Sequence, residues 1–278
     1  MTPRIIERGA GRPIVLVPGI QGRHEWSLPT VDALAALGRV ITYSLADEPT
    51  SGFAWQASLG FENYVRQLGQ VIERTGAHRP LLVGVSYGGA VVTEYAVRHR
   101  DEVAGLVVAS APPPGWLPAR ARRYMAAPIL MTPVFLLGAP FRAYPEVRAA
   151  FPDSRERWRF MSAHGRRVAA APTSPLRMVR RLRWLDEVRF STADPLDLPA
   201  MIVTGEDALE RVVPPAATRQ YARWLPQAPI VTLAHTGHIG TVTKTREFTS
   251  CVATVLGAAT MSSASPASPE FVRAHRVS

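Results

Sequence analysis

The chain has 278 residues, of which 47% are hydrophobic, with a net charge of +10 and a single cysteine, Cys251. That length suits one large domain or a core with an insertion, and the apolar content is enough to bury a full core. One cysteine excludes an internal disulfide, in keeping with a reducing compartment, and no stretch reaches the roughly 18 consecutive apolar residues of a membrane span.

The N-terminal Met1-Thr2-Pro3-Arg4 lacks a long apolar run and a cleavage site. The expectation is a soluble, cytoplasmic protein without stable membrane insertion. The charge is unevenly placed. Between Gly115 and Phe190 lie 15 Arg, no Lys and five acids, and elsewhere 17 basic residues balance 17 acids. The whole surplus therefore belongs to one segment, either the solvated face of Arg-rich helices or an attractor of anionic partners. No recognised nucleic-acid motif accompanies it, so nucleic acid is not an expected partner.

In chain order, short apolar runs alternate with helical patterns. Strands are expected at Arg4–Arg8, Pro13–Val17, Val40–Tyr43, Leu81–Val85, Gly105–Ala109, Met201–Thr204 and Ile230–Leu233. Most carry Val, Ile and Leu on consecutive positions, as strands covered on both faces do. Helices are expected at Thr30–Leu37, Phe61–Thr75, Gly89–His99, Pro215–Trp224 and Thr243–Val255, with Thr30 and Thr243 as N-caps. Cys251 falls in the last of these and fills space there. The alternation predicts an α/β fold: a doubly wound, mostly parallel sheet flanked by helices.

The alternation stops at Ala111-Pro112-Pro113-Pro114-Gly115, which continues neither a helix nor a central strand. Beyond it come Arg- and Trp-rich helical segments, clearest at Arg155–Val168 and Leu176–Val188. Residues 113–194 are expected to form a helical cap inserted into a core made of residues 1–112 and 195–257. The tail, 258–278, is rich in Ser, Ala and Pro and reads as disordered.

Leu81-Leu82-Val83-Gly84-Val85-Ser86-Tyr87-Gly88-Gly89 is the most informative stretch. An apolar strand runs into Gly-x-Ser-x-Gly and then directly into a helical pattern. This sharp turn holds a serine hydroxyl clear of both elements, at a helix N-terminus that favours developing negative charge. Gly84 and Gly88 supply the small neighbours that such a turn needs.

With this motif the chain resembles the α/β-hydrolase family, over roughly Arg4–Gly257. Three further matches follow the family's order: Leu16-Val17-Pro18-Gly19-Ile20-Gln21-Gly22, Thr204-Gly205-Glu206-Asp207-Ala208-Leu209-Glu210-Arg211-Val212-Val213-Pro214, and Ala234-His235-Thr236-Gly237-His238-Ile239-Gly240. The first departs from the pattern: proline stands at position 18 in place of the histidine that usually braces that loop. The resemblance implies Ser86 as nucleophile and His238, in Gly-His after the last strand, as its base, with His235 the alternative. The acid stays divided. Spacing to Val213-Pro214 favours Glu210, whereas residue type and nearness to the strand end favour Asp207. Backbone N–H groups of Ile20 and Tyr87 are the implied oxyanion donors. Trp26, Trp116 and Trp158 are candidate substrate contacts under the cap.

These residues imply a serine hydrolase acting through an acyl-enzyme on an ester, thioester, lactone or amide of a small, largely apolar molecule, with no metal or organic cofactor. Perhydrolase or haloperoxidase-like activity, acyl transfer and carbon–carbon hydrolysis reuse the same triad. A non-catalytic ligand-binding protein on the same fold is the rival from another class. A serine at position 86 argues against dehalogenase and epoxide-hydrolase chemistry, which place aspartate there.

Overall fold

The computed structural model describes residues 2–119, 121–191 and 194–264, the side chains of 132, 135, 136 and 262–264 excepted. Seven strands form one sheet: β1 Ile5–Arg8, β2 Pro13–Val17, β3 Arg39–Tyr43, β4 Leu81–Val85, β5 Gly105–Ala109, β6 Ala200–Thr204 and β7 Ile230–Thr232. Their order is β1-β3-β2-β4-β5-β6-β7, with β1 antiparallel to β3 and every other pair parallel. The expected α/β class is the observed one, and each expected strand lies within one residue of its place.

The consecutive apolar residues of the strands divide between two faces with period two. Ile14, Leu16, Val40, Leu81, Val83, Val107 and Val203 pack against α1 (Leu28–Leu34) and the C-terminal helix, through Val31, Leu34, Phe248, Val252 and Val255. Val15, Val17, Ile41, Tyr43, Leu82, Leu106, Val108 and Ile202 face the other way, onto α2 (Glu62–Thr75) and α3 (Tyr87–Arg98). Both faces are covered, and so β4 and β5 are buried at every position. Truncating one of these side chains, such as Leu82, to alanine costs about 2–5 kcal/mol.

Between β5 and β6 the described residues form no strand. Four helices stand there: α4 (Ala121–Ala126), α5 (Pro128–Ala150), α6 (Ser154–Ala170) and α7 (Pro175–Glu187). Asp153 and Ser174 cap the last two, each accepting from main-chain N–H groups in the first turn. The longest, α5, carries Pro133, Pro140 and Pro145 inside it. It also leaves Leu130, Val134, Leu137, Phe141 and Tyr144 exposed at helical spacing. After β6 come α8 (Pro215–Thr218), continued as a 3₁₀ turn over Arg219–Arg223, then α9 (Gly240–Thr243) and α10 (Thr245–Ala264).

The two expected threonine caps are corrected. Thr30 lies inside α1, where its hydroxyl donates to the carbonyl of Thr241 at 2.7 Å. Thr243 ends α9, and its hydroxyl bonds Thr236 and the Ile239 carbonyl. The tail expected to be disordered from residue 258 is helical as far as Ala264, where α10 ends. Its remainder lies outside the described residues. Cys251 is a buried free thiol on α10, and its burial pushes the thiol pKa up.

Candidate active site

Every segment singled out in the sequence follows the C-terminal end of a parallel strand, the end where sheets of this kind gather their ligands. Pro18–Gly22 follows β2, Ser86 follows β4, Gly205–Pro214 follows β6 and Leu233–Ile239 follows β7.

Ser86 has φ 52° and ψ −121°, a conformation that side-chain-bearing residues rarely adopt and that costs about 1–3 kcal/mol. Its surroundings hold it there. Its N–H donates to the Ala109 carbonyl and its carbonyl accepts from Gly89 N–H, both at 2.8 Å. A Cβ on Gly84 would sit 2.5 Å from Val92 Cγ2 and 2.6 Å from the Gly88 carbonyl oxygen, and one on Gly88 would overlap the Val17 carbonyl oxygen. Only glycine lets β4 and α3 meet this closely. Tyr87 is the first residue of α3, so its N–H belongs to the unsatisfied helix terminus.

His238 stands between Ser86 and Glu210. Its Nε2 is 3.2 Å from Ser86 Oγ, and its Nδ1 is 3.2 Å from Glu210 Oε2. An ionised carboxylate only accepts, so Nδ1 carries the proton and Nε2 is left to accept from the serine hydroxyl. The other oxygen of Glu210 accepts from Val212 N–H at 2.8 Å and Val213 N–H at 3.0 Å. Burial pushes the Glu210 pKa up, but the charge and hydrogen bond of His238 and these two N–H groups outweigh it. The carboxyl is held below its ordinary value. For His238, burial favours the neutral ring, yet the charge and hydrogen bond of Glu210, aided by Glu146, raise its pKa above the usual imidazole value.

The rival residues lie elsewhere. Asp207 has a side chain 71% exposed, and its ion-pair partner among the described residues is Arg219, at 3.9 Å. His235 is exposed, with φ 59°, and its N–H donates to Glu206. Trp158 is 67% exposed on α6. Trp26 is partly buried: its indole N–H donates to the Ala171 carbonyl and its ring meets His164 edge-on. Trp116 is half-buried in the loop before α4. Gly19 lies against Ser86, where a Cβ would come 3.2 Å from the serine Cβ; this brings the Ile20 loop to the nucleophile.

Sequence reasoning missed two charged residues of the inserted helices that reach the site loops. Glu146 of α5 is buried and accepts from Thr236 Oγ1 and Ile239 N–H, each at 2.8 Å, gripping the loop that carries His238. Arg181 of α7 is buried and donates to the Ile20 carbonyl at 2.6 Å. Neither has a local signal, because their partners lie 93 and 161 residues away. The one available hint is that an apolar stripe broken by a charge marks a buried partner.

A doubly wound sheet, a strained serine at the strand–helix turn after β4, and a carboxylate and a histidine on the loops after β6 and β7 define a class of α/β fold. The chain belongs to the α/β-hydrolase family, whose family model matches residues 14–248. It is 28% identical over 111 residues to haloalkane dehalogenase 2 of Mycobacterium tuberculosis; that stretch is 37% of this chain and 36% of that protein, so the chain matches about a third of the relative's length. Among solved structures it resembles a bromoperoxidase from Bacillus anthracis (TM-score 0.73, 21% identity, covering 91% of this chain and 94% of that one). It also resembles the enol-lactonase from Burkholderia xenovorans LB400 (TM-score 0.72, 17% identity, covering 91% and 96%). At such identities the likeness is one of fold.

Proposed function

We propose that this protein is a serine hydrolase that cleaves an ester, thioester, lactone or amide of a small, largely apolar substrate through an acyl-enzyme. The observation that carries the reading is the unbroken hydrogen-bonded chain Ser86–His238–Glu210 at the C-terminal edge of the sheet. Ser86 Oγ attacks the carbonyl carbon while His238 Nε2 takes the hydroxyl proton. Glu210 fixes the tautomer and stabilises the imidazolium. The tetrahedral oxyanion lies between the N–H groups of Ile20 and Tyr87, at the start of α3. His238 then returns the proton to the leaving group, and water, activated by the same ring, releases the acid. No step calls for a metal or an organic cofactor. The helices between β5 and β6 act as the cap, residues 113–194, over a core of residues 1–112 and 195–257.

The test is labelling by a fluorophosphonate together with turnover of p-nitrophenyl esters of graded acyl length, with lactones and acyl-thioesters alongside. The parent should label at Ser86 and turn over at least one class. Ser86→Ala should lose both while keeping its fold by circular dichroism. Ester turnover near the parent rate in Ser86→Ala would remove Ser86 as nucleophile. A folded parent that neither labels nor turns over would favour the ligand-binding alternative.

A further inference from the structure

The loop that carries the Ile20 N–H has little of its own to hold it. Pro18 offers no N–H and no polar side chain. Within the loop, Gly22 N–H donates to the Gly19 carbonyl at 2.9 Å, and the Gly22 carbonyl accepts from Leu45 N–H at 2.8 Å. The carbonyl of Ile20 is taken by Arg181, which arrives from α7 of the inserted segment.

Arg181 is a built fixture rather than a surface cation. Its side chain is fully buried, as are those of Asp47 and Glu48, which it bridges. Nε donates to Asp47 Oδ1 at 3.1 Å and Nη2 to Glu48 Oε1 at 2.6 Å. Arg177 and Arg180, both partly exposed, flank it and pair with Glu48 and Asp47. Burial alone would make the guanidinium easier to deprotonate; Asp47 and Glu48 more than reverse this, so it stays charged. Gly22, at φ 77°, lies flat against the guanidinium, where any Cβ would overlap Nη1.

From this we infer that Arg181 is the positioning residue of the oxyanion loop, so that the inserted helices complete the oxyanion site from outside the sheet. The inference rests on the serine-hydrolase reading above. The Ile20 N–H lies in the Gly19–Ile20 peptide plane, which is pinned through the Gly19 carbonyl. Arg181 pins the next plane through the Ile20 carbonyl and so restrains the Ile20 φ and ψ about which the first plane would otherwise turn. Three fixed donors on one planar group hold the second plane against two buried carboxylates, which a single ammonium does not reproduce. A preorganised donor stabilises charge without reorganising as the reaction proceeds, and a loosened one loses that advantage. Arg181 touches no reacting atom and acts only through Ile20.

The experiment compares the parent, Arg181→Lys, Arg181→Met and Asp47→Asn, with Arg166→Lys on exposed α6 as control. Each is titrated to exhaustion with a fluorophosphonate so that rates are per competent site. Turnover of a p-nitrophenyl ester and affinity for an aryl trifluoromethyl ketone, which adds the serine and places an oxyanion in the same site, are then measured. Both Arg181 variants should lower kcat about 10- to 100-fold, short of the ~10²–10³ for outright loss of a donor. KM should move less than about threefold, and affinity for the ketone should fall by the same factor as kcat. Asp47→Asn should shift both in the same direction by less, and Arg166→Lys neither. Retention of kcat per titrated site within about twofold in Arg181→Lys or Arg181→Met would overturn the assignment. So would a fall in kcat with unchanged ketone affinity, the mark of general loosening. If Arg181→Met does not fold, Arg181→Lys and Asp47→Asn carry the same two outcomes. A parent that neither labels nor turns over indicts the hydrolase reading instead.

Discussion

At the level of single residues, the carboxylate opposite His238 is the sharpest question the sequence poses. Asp207 and Glu210 lie on one loop, but only Glu210 meets the ring, and two main-chain N–H groups fix its other oxygen. Glu210→Gln should therefore lose most of kcat, because an amide that can donate to Nδ1 favours the wrong imidazole tautomer. The comparable change in a serine protease costs about 10⁴. Asp207→Asn should cost less than about tenfold, as expected of a solvated loop charge. Steady-state kinetics on one ester decides it: a severe Asp207→Asn beside an active Glu210→Gln would reverse the choice. The contact between Glu210 and His238 was half-legible in the sequence. The spacing of Glu210 to Val213-Pro214 is a local property, and the N–H groups of Val212 and Val213 that hold the carboxylate come from that same short turn. Ser86 was legible for the same reason: strand, turn and helix are contiguous, so the strain and the glycines that permit it are all local. His238 and His235 stand three residues apart, and only the fold of the loop turns one inward.

Elements show where local reading fails. The strands were legible because continuous Val, Ile and Leu between turn residues fits only one environment, a sheet buried on both faces. α5 was not, since Pro133, Pro140 and Pro145 argue against a helix interior, and its apolar residues lack a polar opposite face. Yet α5 delivers Glu146 to the loop carrying His238. Burial raises the Glu146 pKa, and its hydrogen bonds and the His238 charge only partly offset this, so it remains above the ordinary carboxylate value. His238 is raised in turn by Glu210 first and Glu146 after it. The ring must be neutral to act as base, so kcat/KM should rise with pH through a midpoint above the usual ~6.5 of imidazole. Glu146→Gln removes a negative charge that favours the imidazolium and should move that midpoint toward lower pH. The same linkage bears on stability. A histidine with a raised folded pKa adds stability below its unfolded value, and loses it as pH rises through the folded one. A pH–rate profile of parent and variant tests the point, and an unmoved midpoint would reduce Glu146 to packing.

Across the whole molecule, the net charge of +10 sits in the segment between Gly115 and Phe190, and the structure shows what several of its 15 arginines bind. Arg177, Arg180 and Arg181 bind the core acids Asp47 and Glu48. Arg157 and Arg183 donate to carbonyls of the inserted helices themselves. A carbonyl satisfies the guanidinium's hydrogen bonds without neutralising it, so these two keep their positive charge and add to the field of the segment. That field belongs to helices that touch both site loops, through Arg181 at Ile20 and Glu146 at Ile239. An anionic substrate should therefore be drawn toward the mouth of the site, and a neutral one should not. Raising ionic strength from about 0.01 M to 0.15 M shortens the Debye length from ~30 Å to ~8 Å, which removes long-range attraction and leaves short hydrogen bonds nearly untouched. The expected result is a fall in kcat/KM for a carboxylate-bearing ester over that range, carried by KM, while an uncharged ester of the same acyl group stays flat. An equal response of the two esters would mean that the arginines serve only as a solvated face and as fixtures between helices and core.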